Sequence, residues 1–200
     1  MRTFYVCSYG GSGSTLLADS LKKYGHVEHI HSRNPPLELE YIGNNKGGDT
    51  YYEWFNGIKI PENELNDYTV IFIYKDPVKA IYSRYIPYYK DCHKHHMDHV
   101  QTNRDVELKD VLEQKKDLFG ITEFYNNYTT KNDQRNYKIH CVKYEDMFEK
   151  QAQLSEILGI GPLNLRKKET SKNYTHYIEL AQIYSGLIED MNKRDFIDII

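Results

Sequence analysis

No run of apolar residues in this sequence approaches the ~18 that a membrane-spanning helix needs, so no span is expected. Cysteine is scarce. Cys7, Cys92 and Cys141 are an odd number at wide spacing, which argues against the disulfide framework of a small secreted domain. Two of them stand in apolar, strand-like runs where a thiol behaves as a small hydrophobe, and a reducing, cytoplasmic setting fits that usage. The sequence enters a strand pattern directly after Met1-Arg2, and no signal peptide is expected. There is no excess of positive charge either. A formal net charge of −3 gives the molecule as a whole no attraction for nucleic acid or an anionic membrane, so any anion site must be local. Internal repeats and low-complexity tails are absent, and a single domain over 1–200 is expected.

What the chain does contain is an alternation of short apolar runs with amphipathic ones. Thr3–Ser8 reads as a buried strand that stops at paired glycines. Ser14–Tyr24 then has helical spacing through Leu16, Leu17, Ala18 and Leu21, with Gly25 as a C-terminal stop. Val27–His31 fits a second short strand, followed by the turn at Asn34-Pro35-Pro36 and a loop over 43–50. Thr69–Tyr74 is the clearest buried strand. Asp76-Pro77 after it supplies an N-cap and a proline at the first helical position, predicting a helix to about Tyr85. Further helices are expected over 106–128 with a break near Gly120, over 145–158 and over 174–193. A strand is expected at Tyr137–Val142, and 91–104 reads as a polar, histidine-rich loop. This order predicts an α/β protein, a three-layer P-loop NTPase-like fold with a central parallel sheet covered on both faces.

The turn Ser8-Tyr9-Gly10-Gly11-Ser12-Gly13-Ser14-Thr15 between strand and helix is an anion cradle by construction. Backbone N–H groups at a helix N-terminus face outward there, and the helix dipole favours negative charge. One residue is missing from it. An ATP-type loop, G-x-x-x-x-G-K-[ST], places a lysine after its second glycine, and here Ser14 follows Gly13 while Ser8 stands in place of the first glycine.

Gly11-Ser12-Gly13-Ser14-Thr15-Leu16-Leu17 resembles the first motif of the sulfotransferases that use 3′-phosphoadenosine 5′-phosphosulfate (PAPS), [KR]-[ST]-G-[ST]-[ST], in all but its leading basic residue. Val70–Pro77 with Ser83 is similar to their second motif, an apolar strand ending in R-[DN]-P with a serine in the next helix. Val142-Lys143-Tyr144-Glu145-Asp146-Met147 resembles a third segment, R-Y-E-D-L. The likeness covers about 3–25, 69–90 and 137–158. It implies a PAPS-dependent sulfotransferase that moves a sulfuryl group to a hydroxyl or amine, with a carbohydrate or other small-molecule acceptor and no metal. Gly10, Gly11, Ser12, Gly13, Ser14 and Thr15 would hold the 5′-phosphosulfate. Lys75 and Ser83 would hold the 3′-phosphate, with Lys172 closing over it from the basic segment Arg166-Lys167-Lys168; an ordinary solvated charge run is the alternative reading of that segment.

Gly11 is the departure from the family pattern. Family enzymes carry there a cation that stabilises the bridging oxygen as sulfuryl leaves, a contact worth about 3–4 kcal/mol in rate. Lys59, in Gly57-Ile58-Lys59-Ile60-Pro61, is the expected substitute. That stretch resembles the K-T-H-L-P segment bearing the catalytic histidine of cytosolic members. A catalytically impaired nucleotide-binding protein and a P-loop nucleotide kinase-like phosphotransferase stay open as rivals. Protein-tyrosine members of the family place a glutamate soon after the first helix, where Val27–Arg33 stands here, so the resemblance implies His31 as the base, with Glu38 and Lys59 behind it, against a purely structural role for His29 and His31. Cys92, His93, His95, His96, Asp98 and His99 have spacing that permits a metal site, although a solvated loop is the expected reading. Most of the nineteen tyrosines are expected in the core, with Tyr9 and Tyr85 near the motifs.

Overall fold

A strand buried on both faces has to be apolar at every position, and β1 (Thr3–Cys7) meets that demand. Phe4 and Val6 enter one hydrophobic cluster while Tyr5 and Cys7 enter another. The computed structural model describes residues 1–43, 54–84, 97–167 and 173–200. In β5 (Tyr68–Tyr74), Ile71 and Ile73 join the first cluster and Val70, Phe72 and Tyr74 the second. The protein is α/β, with a central sheet of five strands flanked by helices, in the order β2-β1-β5-β6-β7. Here β2 is His26–Ile30, β6 is Ile139–Lys143 and β7 is Ile197–Ile199.

Pairing is parallel from β2 through β6, but β7 runs antiparallel to β6, so the expected all-parallel sheet is corrected at one edge. Main-chain bonds exchanged between Ile139 and Ile200 extend that pairing. The chain moves from β1 outward to β2 on one side and to β5 on the other. The switch in direction therefore falls between β1 and β5, where open α/β sheets place their ligand crevice.

Helix α1 (Ser14–Leu21) buries Leu17, Ala18 and Leu21 against the Phe4–Val6 face. Gly25 has a role other than ending that helix. A Cβ there would lie 2.2 Å from the Arg2 carbonyl oxygen, so its importance is close approach to the start of β1. Helix α2 (Pro77–Arg84) starts as expected, with Asp76 Oδ1 accepting the Lys79 N–H at 2.9 Å as an N-cap. The helical pattern after Val106 resolves into α3 (Leu108–Gln114) and α4 (Ile121–Thr129), separated by Gly120 at φ 69°.

Two further expectations shorten or split. The helix expected from Glu145 is α5 (Gln151–Ile157) alone, because 144–150 forms turns whose first side chains are engaged elsewhere. The C-terminal helix is two, α6 (Tyr177–Ile183) and α7 (Ser185–Lys193), broken at Tyr184, whose hydroxyl donates to Asp117 Oδ1 at 2.8 Å. A small antiparallel pair, β3 (Glu40–Ile42) with β4 (Phe55–Lys59), has no counterpart in the sequence reading.

The Tyr5–Cys7 face explains the aromatic content. Phe72 stacks on Tyr128 at 4.6 Å between ring centres, and Phe124 and Tyr125 surround the pair. Cys7 and Cys141 are buried thiols in this layer, and burial pushes both up to about 12, keeping them protonated. Cys92 lies outside the described residues. Among the described residues no helix is long and apolar enough to cross a membrane.

Candidate anion-binding site at the glycine turn

Register brings the turn and its neighbours together. Cys7 pairs with Phe72 and Ile30, so Ser8–Gly10 leaves the sheet beside Lys75 on one side and His31 on the other. Gly10, Gly11 and Gly13 have φ of 108°, 70° and 77°, values that side-chain-bearing residues avoid. Among the described residues, the N–H groups of Gly10 through Thr15 donate to no protein acceptor. That leaves a row of donors ahead of α1, suited to a phosphate or sulfate oxyanion.

Behind the row sits a serine–histidine network. Ser8 Oγ donates to Ser14 Oγ at 2.8 Å, and Ser14 Oγ lies 2.8 Å from His29 Nε2. The proton of Ser14 is thereby aimed at the lone pair of a neutral His29. Burial, reinforced by the nearby charge of Arg84, lowers His29 to about 4. His31 is only 7% exposed, and its Nδ1 lies 2.7 Å from the Ser8 carbonyl oxygen. A carbonyl only accepts, so Nδ1 carries the proton and Nε2 holds the lone pair. Burial first, then the neighbouring His29 imidazole and the charge of Arg84, hold His31 well below its ordinary value, while the bond to Ser8 opposes them. His31 also faces His99 and Trp54, ring to ring, at 6.2 and 5.9 Å.

The turn is gripped from two other segments. An ideal Cβ on Gly11 would lie 2.7 Å from the Ala80 carbonyl oxygen and 3.0 Å from Ser83 Cβ, both on α2. One on Gly13 would lie 2.3 Å from the ring of Tyr144, at the end of β6. Lys75 Nζ sits 4.5 Å above that same ring, and the Asp76 N–H donates to Glu145 Oε1 at 3.1 Å. The three sequence segments that carried the resemblance therefore meet at one place. Thr15 is exposed at the mouth and Ser12 is buried, its hydroxyl donating to the Gly10 carbonyl at 3.3 Å. Ser83 donates its hydroxyl to the Lys79 carbonyl at 2.8 Å, a bond it must exchange to donate to a phosphate.

Other expected residues stand apart. Lys59 and Glu38 form an exposed ion pair at 2.6 Å beside the β3–β4 pair, each neutralising the other in solvent. Tyr9 faces the core: its hydroxyl donates to the Phe119 carbonyl at 3.0 Å and its ring meets Phe124 edge-on. Lys172, Lys168 and Tyr85 lie outside the described residues, as do His93, His95 and His96. Asp98 is in an ion pair with Arg104 at 3.5 Å, and among the described residues no group of three or more His, Cys, Asp or Glu is placed to hold a metal.

Two residues at the site gave no functional signal in the sequence. Arg84 follows Ser83 on a helix end where a basic residue is unremarkable. Tyr144 is an ordinary aromatic at the end of a strand, and its position against Gly13 depends on a parallel crossover that no local pattern encodes. At the carboxyl ends of β5 and β6, a cleft of about 210 Å³ is lined by Tyr74, Asp76, Lys79, Lys143, Glu145 and Met191 among others. The buried Tyr74 hydroxyl finds no hydrogen-bond partner among the described residues. No protein-family model matches this sequence, and comparison with curated proteins and with solved structures finds no match either.

Proposed function

We propose that this chain is a PAPS-dependent sulfotransferase of P-loop type, moving a sulfuryl group to the hydroxyl or amine of a small-molecule or carbohydrate acceptor. The observation that carries this reading is the convergence of undonated N–H groups at Gly10–Thr15 with Lys75, Ser83 and Tyr144 from two later segments. Such a site suits a ligand with anionic groups at two ends. The turn would take the 5′-phosphosulfate, and Lys75 with Ser83 the 3′-phosphate.

In the reaction the acceptor oxygen or nitrogen bonds to sulfur while the bond from sulfur to the 5′-phosphate oxygen breaks. The acceptor proton passes to a base, and 3′-phosphoadenosine 5′-phosphate leaves. Charge builds on the phosphate oxygen, so positioning and anion stabilisation carry the rate. His31 is the base to test, because its bond to the Ser8 carbonyl fixes the tautomer that leaves Nε2 able to accept. Glu38 and Lys59 lose standing for that role through their mutual ion pair.

A second reading, a nucleotide-binding protein without transfer activity, is favoured by Gly11. The backbone of α2 occupies the space into which a side chain there would have to begin. Calorimetry with 3′-phosphoadenosine 5′-phosphate against ATP tests the shared part of both readings, and tighter binding of ATP rejects it. Transfer of labelled sulfate from PAPS to a panel of sugars, phenols and amines separates the two. His31→Asn should then lose transfer and keep nucleotide binding.

A further inference from the structure

A turn that binds a leaving phosphate benefits from a cation, and this one cannot hold it on Gly11. At φ 70°, with the Ala80 carbonyl 2.7 Å from any Cβ, Gly11 is closed to lysine or arginine by backbone. The residues that close it identify another source of charge. Ala80 and Ser83, the α2 residues against Gly11, define the helix face turned to the loop, and Arg84 lies four residues beyond Ala80 on that face.

The Arg84 side chain is partly buried. Its charge acts on both His29 and His31, the imidazoles directly behind Ser14 and Ser8. One guanidinium thus belongs to the helix that walls the turn and acts on the residues that back it. Lys59 is paired with Glu38 in solvent, and Lys75 lies over Tyr144 at the Gly13 side.

We infer that Arg84 is the cation of this site, serving the 5′-phosphosulfate end of the donor in place of a basic residue at position 11. This rests on the donor reading above and adds to it a residue that the motif does not contain. A guanidinium suits the role because its donors stay charged at any working pH and reach two oxyanion oxygens together. Supplied from α2, the charge arrives beside Gly11 from across the turn instead of along it.

The test compares the native chain with Arg84→Gln and Arg84→Lys, in calorimetry with three probes: 3′-phosphoadenosine 5′-phosphate, adenosine 5′-phosphosulfate and adenosine 3′-phosphate. Arg84→Gln is expected to weaken the first two by roughly 10- to 100-fold, the range of one charge-assisted contact, and to leave the third unchanged. Arg84→Lys should recover part of the loss, and melting temperatures taken alongside identify any variant that fails to fold. Equal weakening of all three probes, or none, overturns the assignment while leaving the donor reading intact. If the native chain binds no 5′-substituted probe, the donor reading falls and this inference with it.

Discussion

Restoring lysine at position 11 separates a reading by motif from a reading by structure. By motif, Gly11→Lys returns the missing cation and regains a contact worth about 3–4 kcal/mol in rate. By structure, the new side chain starts in a left-handed backbone, costing about 1–2 kcal/mol. Its Cβ also meets Ala80 O at 2.7 Å and Ser83 Cβ at 3.0 Å. A carbonyl of a helix cannot rotate away as a side-chain tip can, so α2 or the turn must shift, an overpacking cost of about 1–3 kcal/mol. The total, roughly 2–5 kcal/mol, corresponds to a fall of about 4–20 °C in melting temperature for a chain of this size. Urea and thermal denaturation of Gly11→Lys measure the cost, and calorimetry with 3′-phosphoadenosine 5′-phosphate measures the loop. Both stability and nucleotide affinity should drop, and sulfate transfer should gain nothing. A Gly11→Lys protein that melts within about 2 °C of the native one would refute the reasoning, since the turn would then have room that the geometry denies.

Gly13 gives the complementary case, because its obstacle is a side chain. Gly13→Ala and Tyr144→Ala should each destabilise, and the double variant should lose less than their sum by about 0.5–3 kcal/mol in a double-mutant cycle; strict additivity would contradict the contact. Acid should weaken the fold through His29. Its folded pKa of about 4 lies below the ordinary histidine value, so its stabilising contribution is fully present above pH ~6.5 and is lost as pH falls toward 4. That loss is on the order of 3 kcal/mol, with His31 adding in the same direction. Urea midpoints across this range measure it, His29→Gln should flatten the slope, and a native protein equally stable at both ends would rule the coupling out. Tyr74→Phe removes a buried hydroxyl without a partner among the described residues and should raise stability by about 1 kcal/mol; a loss of that size would show that the hydroxyl is satisfied.

Much of the sheet was legible because its strands are buried on both faces, and Thr69–Tyr74 or Phe4–Cys7 cannot be read as anything half-exposed. The boundaries at Asp76-Pro77 and Gly120 were legible too, since a cap, a proline and a left-handed glycine act locally. Residues 144–150 were not. Their composition suits a helix, but Tyr144 is held against Gly13 and Glu145 receives the Asp76 N–H, and these distant partners outweigh propensity. The strands β3, β4 and β7 are too short or too exposed for alternation to reveal them. In the site, the glycines and serines announced themselves by order along the chain. The carboxylate partner of Lys59 could not be read from the sequence, because Glu38 meets it only across the fold, and Arg84 gave no signal because only folding gives it neighbours.

The grip of α2 on Gly11 and of Tyr144 on Gly13 also bears on the thermodynamics of binding. Most glycine-rich loops have backbone freedom to surrender when a ligand arrives, and that loss subtracts from affinity. Here the ordering is paid during folding, by contacts made without any ligand, so an arriving oxyanion meets donors already in place. Binding should therefore show a small entropic penalty, and weakening either grip should appear as a slower, costlier capture of the anion even where every donor to it is retained.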